Sequence, residues 1–181
     1  ALPILEHGNI EIVSLLLRYG AKVNIRDDSK RTPLLSIDDD ASPELIRLVV
    51  NAGASISAKD ESGESVIFAA VETGRADMIA AVVSFGADIN ETNNEGLTPL
   101  MRAASNDNPS SVRALLDLGA SVNDRDDSGQ TAWDISYDTE IDEMLVAAGA
   151  VQSYDVEVYP DDEQTAGTDD SAEPQATPPQ R

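Results

Sequence analysis

The sequence predicts an all-α fold, a solenoid of stacked helix–turn–helix units with protruding turns. Three observations predict it. Gly-Ala recurs at Gly20-Ala21, Gly53-Ala54, Gly86-Ala87 and Gly119-Ala120, 33 residues apart each time. Thr32, Ser65, Thr98 and Thr131 recur at the same interval. An apolar pattern keeps the same register: Val13, Leu16 and Leu17, then Ile46, Val49 and Val50, then Ile79, Val82 and Val83, then Val112, Leu115 and Leu116. Such a period marks a repeat architecture, in which no unit buries its own face and stacking creates a continuous core.

Within a unit the local signals agree. A Thr or Ser before an apolar run is an N-cap, because its side-chain oxygen can accept a free N–H of the first turn. Pro33 and Pro99 follow at the first helical position, where a missing N–H costs nothing. The second helix carries its apolar residues at i, i+3 and i+4, which forms one face. Gly20, Gly53, Gly86 and Gly119 then stop it by adopting positive φ. The segments from about Val23 to Thr32, and their later equivalents, are polar and turn-rich.

In chain order, residues 1–26 are a partial first unit and residues 27–123 are three full ones. Residues 124–150 are a short capping unit, since Gly149-Ala150 arrives after only 30 residues. Asp142 stands where earlier units carry Val13, Ile46, Ile79 and Val112, which suits an outer face that no further unit covers. Polar caps are expected at solenoid ends, yet Leu2, Ile4 and Leu5 open the chain. A monomeric fragment, with more repeats or another domain upstream, is the expectation. Beyond the cap, "VQSYDVEVY" alternates Tyr154, Val156 and Val158 and could lie as a short extended strand. Residues 160–181 contain no Ile, Leu, Val, Met or aromatic residue, so the acidic tail, 151–181, is expected to be mostly disordered.

Composition narrows the function. The chain has 34 acidic and 12 basic residues, a formal net charge of −22. That surface repels nucleic-acid phosphate and anionic lipid and favours basic partners. There is no cysteine, hence no disulfide, thiolate metal site or Cys nucleophile. No apolar run approaches the ~20 residues that span a bilayer.

The period of 33 and the segments "TPLMRAA", "SVIFAAVETG", "VSFGADINETNNEGLTPL" and "LLDLGASVNDRDDSGQTAW" resemble ankyrin repeats, over residues 1 to about 150. The family pattern T-P-L-H-x-A is not kept in full. Its His position carries Leu35, Phe68, Met101 and Asp134, so apolar packing has to replace the usual inter-turn hydrogen bond in three units. Lys30 replaces the turn glycine kept as Gly63, Gly96 and Gly129. Ile37 and Asp38 stand where other units have Ala70 or Ala103-Ala104. The unit from Asp27 to Ser57 is thus the most irregular, and Asp38 marks an expected frayed helix end.

Catalytic and metal chemistry find no support, and no cofactor is expected. The single histidine, His7, precedes a turn at Gly8. Asp124, Asp126, Ser128 and Gly129 open like an EF-hand loop, but the twelfth position is Ile135 rather than a bidentate Glu. Asn90-Glu91-Thr92 fits a glycosylation sequon, at a recurrent loop position. Asp38, Asp39 and Asp40 fall at the bend between two helices, and the equivalent residues of other units share no ligand pattern.

What the resemblance implies is a non-catalytic protein-binding module. Family partners dock on turn tips and on the concave face of the first helices. Carried across, these positions are Arg26, Asp28, Arg31, Asp39 and Asp40 in one unit and Lys59, Glu61, Glu64 and Glu72 in the next. Asn94, Glu95, Leu97 and Asn106 follow in the third, with Arg125 and Asp127 in the cap. The expected partner is a basic protein, not nucleic acid, and no direct membrane contact is expected. The alternative is a C-terminal regulatory or inhibitory domain of a larger enzyme or membrane protein.

Overall fold

A computed structural model describes residues 9–38 and 40–151. The expectations for residues 1–7, for Asp39, and for the strand and tail beyond Val151 lie outside these. Eight α-helices and one 3₁₀ helix make up the regular structure, with no strand among the described residues. In order they are α1 (Ile10–Arg18), the 3₁₀ helix (Pro33–Ser36), α2 (Pro43–Asn51), α3 (Val66–Glu72) and α4 (Ala76–Ser84). Then come α5 (Pro99–Ser105), α6 (Pro109–Asp117), α7 (Ala132–Ile135) and α8 (Thr139–Ala147). None of the described helices is long and apolar enough to cross a membrane.

Two layers result. The 3₁₀ helix, α3, α5 and α7 pack in succession in one, and α1, α2, α4, α6 and α8 in the other. Helix pairs α3–α4, α5–α6 and α7–α8 join the layers. Between them runs one core, with Ile46, Phe68, Ile79, Leu100, Met101, Val112, Leu115 and Ile141 fully buried. Of these, Ile46, Ile79, Val112 and Leu115 lie on the long-helix face that the period-33 register assigns to the core.

The long helices stop as their glycines predict. Gly20, Gly53, Gly86, Gly119 and Gly149 all have φ between 81° and 96°. This turns the following alanine N–H back onto the helix: Ala54 donates to the Val49 carbonyl at 3.1 Å and Ala120 to Leu115 at 2.9 Å. Such closure satisfies carbonyls that a helix end otherwise leaves orphaned.

The N-caps divide. Thr98 accepts from the Met101 N–H at 3.3 Å, and Thr131 from Asp134 at 3.4 Å. Asp134 also accepts from the Thr131 N–H at 2.8 Å, so the acid in the family's His position closes a capping box. Thr32 and Ser65, expected to cap in the same way, do not. In both, the amide that the hydroxyl would serve bonds the backbone instead: Leu35 N–H to the Thr32 carbonyl at 2.9 Å, and Phe68 N–H to Ser65 at 3.1 Å. The Ser65 hydroxyl donates to Glu91, and Thr32 Oγ1 is buried without a partner.

The unit from Asp27 to Ser57 is irregular in the expected place. Its first helix is a four-residue 3₁₀ turn, where α3 and α5 have seven residues. Ala70, Val71, Ala103 and Ala104 are fully buried in those helices. A carboxylate at the same depth would lose hydration without compensation. The chain leaves the helix at Ile37, and Asp38 stays half-buried, accepting the Asp40 N–H at 3.1 Å.

Candidate partner-binding surface

The turns between units are built by a residue that sequence reasoning passed over. Asp27, Asp60, Asn93 and Asp126 recur at 33. Each side chain accepts two backbone N–H groups of its own turn, as with Asp60 from Ser62 at 2.8 Å and Glu64 at 3.0 Å, and Asp126 from Ser128 and Gln130 at 2.8 Å. Asp27 and Asn93 do the same. This local bonding fixes the turn without help from a sheet. The signal was present, an acid or amide every 33 residues, but in a polar loop it reads as solvated surface.

Neighbouring turns are then tied together. Glu61 N–H donates to the Ser29 carbonyl at 3.0 Å, Asn94 to Ser62 at 3.0 Å and Asp127 to Glu95 at 3.1 Å. A second set of staples lies at the other loop. Asn24 accepts from Ser55 N–H at 2.9 Å, Asn90 from Ser121 at 2.8 Å and Asn123 from Val151 at 2.8 Å. Ser57 takes the Asn place in one unit and is too short for this reach. Asn90 of the sequon is thus one of the staples.

These ladders place the candidate contacts. The basic ones are engaged. Arg26 donates to the carbonyls of Lys30 at 3.0 Å and Lys59 at 2.8 Å. Lys59 reaches the Thr92 carbonyl at 2.8 Å and Glu91 at 3.4 Å. Arg31 pairs with Asp27 at 3.0 Å, and Arg125 donates to the Gly129 carbonyl at 2.7 Å. The acidic ones on the tips are not: Asp28, Glu61, Glu95 and Asp127 are exposed, and their carboxylates have no bonding partner among the described residues. Asn94 is exposed and donates to the Glu61 carbonyl at 2.9 Å.

The first-helix side differs. Glu64 is half-buried, bonded to Asn93 at 3.0 Å and ion-paired with Arg102. Glu72 is exposed, 3.9 Å from the same guanidinium. Leu97 is partly buried and packs on the core rather than standing open at the tip. Asp40 is exposed in the turn ahead of α2, and Asn106 is exposed at the end of α5. An open hollow of about 230 Å³ brings some of these together: Arg31, Glu64 and Glu72 line it with Leu35, Ile37, Asp60, Ser65 and Ala69. Asp40, Asn106 and the tip residues of the last unit do not line it.

Electrostatics within the turns follow from these bonds. The Arg31 backbone N–H, and then its guanidinium, hold Asp27 below the usual carboxylate range. The Arg75 guanidinium does the same for Asp77. Burial pushes Glu91 up, against the pull of Lys59. For Asp27 and Asp77 the folded value lies below the unfolded one, so their stabilisation is present at neutral pH and is lost as pH falls through the folded value. Glu91 has the opposite sign: its folded form holds the proton longer, so stability declines as pH rises from the ordinary Glu value to the raised one. Glu91→Gln is expected to flatten that decline in urea-midpoint measurements across the window; an unchanged slope would place the titration elsewhere.

No three or more His, Asp or Glu side chains gather as a metal site among the described residues. Asp126, the acid of the EF-hand-like stretch, spends one carboxylate oxygen, Oδ1, on its own turn.

Comparison with known families matches residues 36–126 to ankyrin repeats in three copies and residues 1–28 to a single ankyrin repeat. No curated protein matches the chain. The three-copy match alone spans half of the 181 residues, and the stacked helix pairs and bonded turn tips have the same register. The chain belongs to the ankyrin-repeat family, whose members serve generally as protein-interaction modules.

Proposed function

We propose that this protein is a non-catalytic adaptor that binds a basic partner protein along its turn tips and the adjoining concave helix face. One observation carries the reading. Asp28, Glu61 and Asp127 occupy the same place on three of the four tips, the other carrying Asn94, and their carboxylates have no bonding partner among the described residues, while the neighbouring Arg26, Lys59 and Arg125 are spent on carbonyls. The tip ridge therefore offers net negative charge to solvent. Rim charges of this kind steer encounter more than they hold the complex. The hollow beside Glu64 and Glu72, floored by Leu35 and Ala69, supports a further contact for a long side chain. Residues 124–150 act in this reading as the end cap of the array.

The test uses a partner isolated by affinity capture on the full chain. Asp28→Asn, Glu61→Gln and Asp127→Asn together are expected to slow association about tenfold at low salt, with dissociation little changed. The difference should shrink as salt is added, because exposed charges are screened. Association that ignores both salt and the triple substitution rules out the acidic ridge.

A further inference from the structure

The grooves between successive elements of the short-helix layer are filled differently. Ser36, Ala69, Arg102 and Ile135 share one place in the 33-residue register. Arg102, on α5, reaches across its groove to pair with Glu64 of the unit before, and Glu72 lies 3.9 Å from its Nε. Ile135, on α7, packs on the core. Ala69, on α3, is too short to cross in the same way, and the element before it is the four-residue 3₁₀ helix, which ends at Ser36. The space left there is the hollow of about 230 Å³, lined by Leu35 and Ile37 from one unit and Ala69 from the next. It is smaller than the ~300–1,000 Å³ that enclose a drug-sized molecule, and so suits a single side chain.

Charge selects the occupant. Of the ionisable residues that line the hollow, Arg31 is paired with Asp27 and Glu64 with Arg102. Asp60 and Glu72 remain, both negative. Asp60 spends Oδ1 on its own turn, whereas Glu72 is exposed and its nearest ion pair among the described residues is the distant contact with Arg102. We propose that the hollow receives an arginine side chain of the partner, its stem against Leu35, Ile37 and Ala69 and its guanidinium on Glu72. The proposal rests on the reading of the partner as a basic protein on this face, and it adds which side chain is recognised. The chain supplies its own precedent: from the place equivalent to Ala69, Arg102 holds a guanidinium against Glu64 and beside Glu72. Arginine suits the hollow better than lysine. Its planar group is more weakly hydrated than an ammonium, keeps its charge, and leaves a stem that can lie along apolar walls.

The test needs no partner protein. The probe is the peptide acetyl-Gly-Arg-Gly-amide, titrated into the full 181-residue chain and followed by the methyl NMR signals of Leu35, Ile37 and Ala69. Saturable shifts are expected there, with a dissociation constant on the order of 1 mM, the scale for one anchored side chain. Citrulline in place of arginine keeps the shape and loses the charge, and should weaken binding about fivefold. Glu72→Gln should weaken it about threefold, while Asp28→Asn, which removes the same charge from a tip, should change it by less than about twofold. Ala69→Met should abolish binding by filling the hollow. That variant is expected to fold, because long side chains stand at this place in the next two units, and its urea midpoint checks this; if it unfolds, the citrulline and Glu72→Gln arms still decide. No saturable shift at these methyls overturns the proposal, as does a citrulline peptide or a folded Ala69→Met protein that binds as tightly. Equal weakening by Asp28→Asn and Glu72→Gln also overturns it, since that is general attraction to an acidic chain. The triple tip substitution tests the ridge separately: its failure with the probe still seated strikes the ridge and leaves the hollow, and the reverse result strikes the hollow alone.

Discussion

Phe68→Ala is expected to lower the stability of the array by about 3–5 kcal/mol, the range for emptying a large buried aromatic site. Phe68 is 1% exposed and is among the largest fully buried side chains. It lies in α3, which packs on the 3₁₀ helix, α4 and α5 at once, so walls that belong to several elements cannot all move in to fill the space. A loss of that size is about a fifth or more of the ~5–15 kcal/mol stability of an ordinary domain. Urea unfolding of the full chain measures it. Phe68→Met is the matched control: Met101 fills the equivalent place in the next unit, fully buried, so a volume-tolerant swap should cost less than about 1.5 kcal/mol. A loss near 1 kcal/mol for the alanine variant would mean that the units stack more loosely than their burial implies.

The second large effect is at a turn. Gly96→Ala is expected to cost about 2–4 kcal/mol, from strain plus a broken inter-turn hydrogen bond. Gly96 has φ of 76°, and a Cβ built there meets the Asp127 backbone nitrogen at 2.7 Å and the Asp126 carbonyl carbon at 3.1 Å. That nitrogen is the donor that ties this tip to the Glu95 carbonyl. Relief of the clash therefore pulls the two turns apart. Gly86 is the control. Its φ is 96° and a Cβ there meets nothing within 4 Å, so Gly86→Ala carries only the backbone strain, about 1–2 kcal/mol. Thermal or urea midpoints of the pair decide the matter, with amide exchange at Asp127 as the local readout. Equal losses for the two glycines would sink the account of the tip ladder.

Much of the fold was legible because the repeat is periodic. One register of 33 placed the stop glycines, the core face of the long helices, and the irregular unit at Lys30, Ile37 and Asp38. The replacement of the family's His was also partly legible: Phe68 and Met101 pack as apolar residues, while Asp134 became a cap, which size and hydropathy alone do not reveal. The candidate surface was less legible. Lys59 and Glu64 look like open charges in sequence, yet both are tied to residues about one unit away or more. Leu97 looked like a tip contact and instead packs inward.

The amino-acid sequence by itself determined the unit, its length, its two helices, its stops and its family. Those properties are set by neighbours within a few residues and by repetition of the same local solution. The tertiary structure alone decided which hydroxyls cap, which charges remain free and which end of the stack stays open. Thr98 and Thr131 cap while Thr32 and Ser65 do not; the carboxylates of Asp28, Glu61 and Asp127 have no bonding partner among the described residues, while the Arg26 guanidinium is spent on carbonyls; and α1 shows an apolar face that its counterparts hide. The physical reason is reach. A hydrogen bond or a buried contact depends on atoms within about 3–4 Å of one another, and here the two atoms commonly come from units about 33 residues apart, where spacing in sequence gives the register but not the distance.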